Sequence, residues 1–238
     1  GDAAGISPEI VVKSLADPRI REYCEPLVLG DVRVLAAAAQ QAGLNLTFRA
    51  VLRPSAWRGD GAAFGVIDYH DVDPATVQIG VIEPALGAAA VRYTREAARF
   101  ALAGEIDGIV SAPLNKESMR AAGFHYEGAT EIFAEEAGVK RYAMVLMLGE
   151  MRLLLLTNHM SLRDACDKVT KARVHEKIML AHEALVGQGI AEPRIAVSAL
   201  NPHAGEGGLF GREEIEEIEP AIAEARAAQV GRTVKVTL

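Results

Sequence analysis

Two hydrophobic patterns alternate along the chain. Short continuous apolar runs occupy residues 26–30, 46–52, 107–111, 142–148 and 151–156, and another opens the stretch 194–206. Such runs read as strands buried on both faces. Between them apolar residues return at helical spacing. Residues 86–102 place Val91, Thr94, Ala98 and Ala101 on one stripe, with Arg92, Arg95, Glu96 and Arg99 outside it. Residues 170–186 repeat the pattern with Val174, Ile178, Ala181 and Leu185. Further helices are predicted from Ser7 to about Glu22, from Asp31 to about Gln41, from Gly128 to near Gly138, and from Glu213 onward. Ser7-Pro8-Glu9 reads as an N-cap, a first-turn proline and a first-turn acid. Residues 53–63, with Trp57, read as an irregular connection, and 66–69 as a short edge strand. Gly149-Glu150 separates two apolar strands as a hairpin turn does. The pattern predicts an α/β protein with mostly parallel sheets, interrupted by that one antiparallel pair.

The strand ends carry the candidate chemistry, because ligands in open α/β sheets bind beyond the carboxyl ends of strands. The run at 151–156 leads into Thr157, Asn158 and His159; that at 194–206 leads into Asn201, Pro202 and His203. Two ends that each carry an Asn and a His suggest one polar site, and imidazole is a frequent metal ligand. Lys116 follows the run at 107–111, where it could hold an anion or simply start a helix exposed. Thr130, in a first helical turn, could bind phosphate or serve as a capping hydroxyl. The turn with Gly1, Asp2 and Gly5 could present N–H groups to a phosphate, although a tight structural turn explains it as well. Asp68, His70, Asp71 and Asp73 read as a solvated loop before a metal cluster. His175 and His182 are seven residues apart on one helix, about 10 Å along its axis, and read as surface residues. The glycines from Gly205 to Gly211 could cradle phosphate but lack the dinucleotide fingerprint.

Composition narrows the field. Half the residues are hydrophobic and 24% are charged, as in ordinary globular proteins. A net charge of -7 without a basic stripe disfavours nucleic acid as partner. No apolar run approaches a membrane span. Cys24 and Cys166 lie far apart and form no CxxC pair, which reads as reduced thiols in a cytoplasmic protein.

The stretches GDAAGISPEIVVKSL at the start, SAPLNKESMRAAG at 111–123, EGATE at 127–131, TNHMSLRDA at 157–165 and LNPHAGEGGLFGREE at 200–214 resemble the 4-hydroxythreonine-4-phosphate dehydrogenase family of vitamin B6 biosynthesis. The resemblance implies an isocitrate/isopropylmalate-dehydrogenase-like fold with two subdomains around a cleft. It implies oxidation of the secondary alcohol of 4-phosphohydroxy-L-threonine or a similar phosphorylated hydroxy acid by NAD or NADP, followed by decarboxylation. It assigns His159 and His203 as two ligands of one divalent metal (Zn, Mg, Mn or Co), Thr130 to the substrate-phosphate pocket, and the active site to a homodimer interface. Cofactor-binding residues are not assigned. Three departures follow: Ala129 stands where the family has a substrate-contacting His, Ala3 and Ser7 where Pro and Gly are usual, and the likeness fades after about Gln229. Residues 1–238 are therefore expected to be one catalytic region incomplete at both ends, its third metal ligand absent. D-erythronate or D-threonate 4-phosphate is the alternative substrate, and a non-catalytic remnant that binds ligand or partner is the alternative of another class.

Overall fold

The computed structural model describes residues 1–228 and the backbone of 232–236. It divides into two compact units, Gly1–Val139 and Lys140–Leu238. No helix among the described residues is long and apolar enough to cross a membrane.

The first unit is built on a three-stranded parallel sheet: β1 (Leu27–Gly30), β2 (Phe48–Val51) and β3 (Phe64–Asp68), in the order β1-β3-β2. Val66 is in register with Val28 on one side and Ala50 on the other. β3 is thus the central strand, not the edge strand its length suggests. Four of its five residues are buried. Neighbouring residues of β1 point to opposite faces. Val28 packs with Val12, Leu35, Ala39 and Val66, beneath α1 (Ser7–Ala16) and α3 (Val32–Gln41). Leu29 packs with Leu86, Ala89 and Tyr93 of α4 (Pro84–Leu102). Val12 and Val66 are fully buried, each contributing about 1.5–3 kcal/mol through that burial.

The first predicted helix is two. α1 stops at Ala16, and α2 (Ile20–Tyr23) follows. Pro18 explains the break, since the residue before a proline is driven out of the helical region; Asp17 is extended, with ψ 116°. Ser7 is not the cap but the first helical residue, and its Oγ donates to the Pro113 carbonyl at 2.6 Å. Residues 107–111 form no strand: they lie without a strand partner among the described residues, and Val110 is fully exposed. Two short helices complete this unit, α5 (Lys116–Ala121) and α6 (Ala129–Ala137).

In the second unit β4 (Val145–Leu148) and β5 (Met151–Leu154) pair antiparallel across Gly149-Glu150, as the turn residues predict. α7 (Leu162–Asp167), α8 (Lys171–Gly187), β6 (Arg194–Ser198), a π-turn over Glu214–Ile218, α9 (Glu219–Ala227) and β7 (Arg232–Val236) follow. Thr170 caps α8 by accepting from the Arg173 N–H. The backbone of β7 pairs parallel with β6, which gives the VKV of the tail a partner; Gly231, Thr237 and Leu238 lie outside the described residues. The core joins Val174 and Ile178 of α8 to Ile218, Ala221, Ile222 and Ala225. His175 and His182 are not surface residues. Both are half-buried, and His175 Nε2 and His182 Nδ1 are buried without a hydrogen-bond partner among the described residues.

Candidate functional site

In the first unit α4 is the platform. Gly87 lies so close to α5 that a Cβ there would come within 2.2 Å of the Ser118 carbonyl oxygen. Met119 and Ile132, both fully buried, pack with Val91, which ties α5 and α6 to the same helix. Ion pairs reinforce the seat of α6: Arg95 reaches Glu135 at 2.9 Å and Glu136 at 3.2 Å, and Arg99 reaches Glu136 at 3.0 Å. The starts of α5 and α6 consequently meet around a cavity of about 230 Å³, lined by Ser111, Ala112, Leu114, Lys116, Glu127, Gly128 and Ala129.

This cavity suits an anion. Lys116 is the first residue of α5, behind the Asn115 cap, which accepts from the Glu117 and Ser118 N–H groups at 3.0 Å. Gly128 precedes α6 without a side-chain cap, so the first N–H groups of that helix stay open to a ligand. Glu127 draws Lys116 to 3.6 Å and Arg120 to 3.4 Å. Ala129 presents only a methyl group. Thr130 is the second residue of α6, half-buried and outside the cavity lining. The opening glycine turn is structural: Asp2 is buried, its N–H donates to the Pro113 carbonyl, and its carboxylate accepts from the Ala4 N–H at 2.8 Å.

Asp31, Asp68 and His70 bring ligand atoms within 4.8 Å of one another. These carboxylates already have work. Asp31 accepts from Arg33 Nη2 at 2.8 Å and from the Arg33 and Val72 N–H groups. Burial pushes its carboxyl up, but those bonds outweigh burial and hold it below the usual aspartate range. Asp68 accepts from the Val32 and His70 N–H groups. Of the other two acids, Asp71 binds Arg92 at 3.0 Å and Tyr93, and Asp73 accepts from the Ala75 N–H in a turn. The cluster is a set of caps at the carboxyl edge of the sheet.

Both histidines that follow strand ends lie in the second unit. His159 is exposed, five residues beyond β5 and two before Ser161, the cap of α7. His203 is exposed five residues beyond β6. Among the described residues neither belongs to a set of three His, Cys, Asp or Glu whose ligand atoms lie within 4.8 Å of one another. A catalytic zinc takes three protein ligands as a rule, and no such set of donors that includes either histidine is gathered among the described residues.

The backbone around His203 is unusual. Residues 203–207 all lie in the left-handed region, with φ from 46° to 79°. Three of them, His203, Ala204 and Glu206, are not glycine, and left-handed backbone costs such residues about 1–2 kcal/mol each. Strain of this kind persists where surrounding contacts dictate it. Against this turn lies Glu214, 1% exposed, an acid that nothing in the sequence distinguishes from its acidic neighbours. It accepts from the N–H groups of Leu200 at 2.9 Å and Asn201 at 2.7 Å, and from Asn201 Nδ2 at 2.9 Å. Burial raises its carboxyl, but the Asn201 side chain and the backbone donors prevail and hold it below the usual glutamate range.

A parallel sheet clothed by helices on both faces in the first unit and the strands and helices of the second make this a mixed α/β protein, consistent with the isocitrate/isopropylmalate-dehydrogenase-like fold. The chain belongs to the family of the pyridoxal phosphate biosynthetic protein PdxA, whose sequence profile matches residues 22–235. A protein of Symbiobacterium thermophilum provisionally named D-threonate 4-phosphate dehydrogenase is 40% identical over 227 residues, 95% of this chain and 68% of that protein. The 4-hydroxythreonine-4-phosphate dehydrogenase of Klebsiella pneumoniae superposes with a TM-score of 0.90 at 36% identity, covering 98% of this chain and 70% of that one. Its counterpart from Burkholderia phymatum gives 0.86 at 37% identity, covering 98% and 71%. These relatives are dehydrogenases, and the chain is of an oxidoreductase family.

Proposed function

We propose that this chain is the catalytic region of an NAD(P)-dependent, metal-dependent dehydrogenase acting on a phosphorylated hydroxy acid, either 4-phosphohydroxy-L-threonine or D-threonate or D-erythronate 4-phosphate. The family match, which spans both units, is the observation that carries this reading. In the reaction the secondary alcohol carbon gives a hydride to the nicotinamide and its oxygen loses a proton; the resulting β-keto acid releases carbon dioxide. Lys116 and the open start of α6 bind anionic substrate groups, with Thr130 behind them. His159 and His203 supply two neutral imidazoles to a divalent metal (Zn, Mg, Mn or Co), the remaining ligands coming from outside these 238 residues. When bound, such a metal acts as a Lewis acid toward the developing alkoxide.

D-Threonate 4-phosphate is the alternative substrate, and two observations support it. Relatives at 38–40% identity carry that name, and Ala129 offers the cavity no hydrogen-bonding group. The test is reduction of NAD or NADP by the full-length gene product with each substrate in turn. Turnover of the threonate phosphate but not the hydroxythreonine phosphate supports the second reading, and no turnover of either removes both.

Two further elements of the proposal concern setting. β4 and β5 expose apolar residues on both faces, Leu146 and Leu153 at 52% each and Leu148 at 75% on one, Met147 at 63% on the other. A lone two-stranded hairpin is marginal in water, so this hairpin is assigned to a homodimer interface. Sedimentation of the Leu146→Lys, Leu153→Lys variant is expected to show monomer where the parent shows dimer. Cys24 and Cys166 are free thiols, which supports a cytoplasmic setting.

A further inference from the structure

The most strained backbone among the described residues and a fully buried acid meet in the stretch from Leu200 to Glu214. We propose that Glu214 is a positioning residue, whose carboxylate holds the left-handed turn that presents His203. This rests on the reading of His203 as a site residue.

Three observations carry it. First, three of the four non-glycine residues with positive φ among the described residues are His203, Ala204 and Glu206. Histidine tolerates that conformation better than most residues, but Ala204 and Glu206 have no such preference, and all three pay for it relative to the right-handed one. The turn must therefore be imposed from outside. Second, Glu214 sits against it at two points. Oε1 takes the N–H groups of Leu200 and Asn201, which fixes the chain direction as it leaves β6. Oε2 lies where a Cβ on Gly205 would approach to 2.9 Å, so the middle of the turn is seated on the carboxylate. Asn201 Nδ2 bridges Glu214 and Glu213, and it lies within 2.5 Å of where a Gly211 Cβ would stand. Third, Glu214 has no ion-pair partner among the described residues, and amide donors alone satisfy it. A buried carboxylate of that kind is a poor source of stability compared with an apolar residue, whereas it specifies backbone geometry well, because each oxygen accepts only where N–H groups converge.

Glutamine at this position keeps the shape but exchanges one acceptor oxygen for an NH₂ that faces the same donors. The test compares Glu214→Gln with Ile222→Ala, which removes core volume from the same unit without touching the turn. Amide hydrogen exchange across 199–212 and the His203 ring resonance, identified by its loss in His203→Asn, are followed in the 238-residue chain. In Glu214→Gln the amides of Ala204 and Phe210, which donate to Asn201 and Gly205, are expected to lose protection by at least about tenfold, the worth of one net hydrogen bond. The His203 resonance should move to the position of an unstructured histidine. Ile222→Ala should lower the melting temperature at least as far and leave both signals in place. Unchanged exchange and resonance in Glu214→Gln overturn the proposal, as does equal disturbance in Ile222→Ala. Should Glu214→Gln not fold, Glu214→Asp, which keeps the charge and withdraws it by one methylene, is read by the same two signals. Zinc added to the full-length gene product separates the underlying reading: a His203 resonance that ignores zinc there removes its ligand role, while the clamp stands or falls on the first two signals.

Discussion

The carboxyl edge of the parallel sheet and the His203 turn solve one problem with opposite means. Both are places where a strand gives way to a loop and backbone N–H groups need acceptors, and both use buried acids. At the sheet, Asp31 is matched by Arg33, and the following backbone runs directly into the regular helix α3. At the turn, Glu214 has only amide donors, and the backbone it holds is left-handed through five residues. The first arrangement supports a core; the second uses stability to fix the place of one side chain. The difference shows how to tell a structural acid from a positioning one: by the conformational cost of what it holds rather than by its burial.

That contrast can be broken or sharpened by substitution. The largest effect is expected in the platform of the first unit. Gly87→Val places a side chain against the Ser118 carbonyl, where even Cβ would stand 2.2 Å away. Separation of α4 from α5 should cost about 3 kcal/mol or more, read as a lower denaturant midpoint, with collapse of the cavity beside Lys116. A change of ordinary surface size would show that the helices can part freely.

Next comes Gly205→Ala, at φ 79° with its Cβ 2.9 Å from both Glu214 Oε2 and the Gly211 carbonyl. Strain and crowding together should cost about 2 kcal/mol by thermal unfolding.

Asp31→Asn tests the structural acid. It leaves Arg33 and the Val72 N–H with a poorer partner and should cost about 2 kcal/mol near neutral pH. The folded carboxyl titrates below its ordinary value of 3.8. Its contribution is therefore complete above that value and disappears as pH falls through the lower, folded one. The gap in stability between parent and variant should accordingly close on acidification below 3.8; a gap that stays constant with pH would show that charge is not its source.

The smallest effect has the opposite sign. Ala204→Gly, at φ 53°, relieves left-handed strain while gaining freedom in the unfolded chain, and should stabilise by roughly 0.5 kcal/mol. Destabilisation there would show that the Ala204 methyl group matters more than its backbone.

Periodicity, turn chemistry and motif order were enough to determine much of this protein. The helix in α4, the extent of α8, the Gly149-Glu150 hairpin and the α6 helix between Gly128 and Gly138 are local features. Their causes lie within a few residues, so they are legible in one dimension. The family, too, was legible, because its motifs run in order along nearly the whole chain. Tertiary structure alone decided the central place of β3, since four apolar residues look the same in the middle of a sheet as at its edge. It decided that residues 107–111 have no strand partner among the described residues, that Ser7 binds Pro113 rather than capping its helix, and that one ring nitrogen of each of His175 and His182 is buried. It also decided the role of Glu214, whose sequence context is a run of acids and whose partners lie thirteen and fourteen residues back along the chain. Hydrophobic period encodes which face of an element turns inward. It carries no information about which distant N–H groups a carboxylate will meet there, because that depends on how the elements pack.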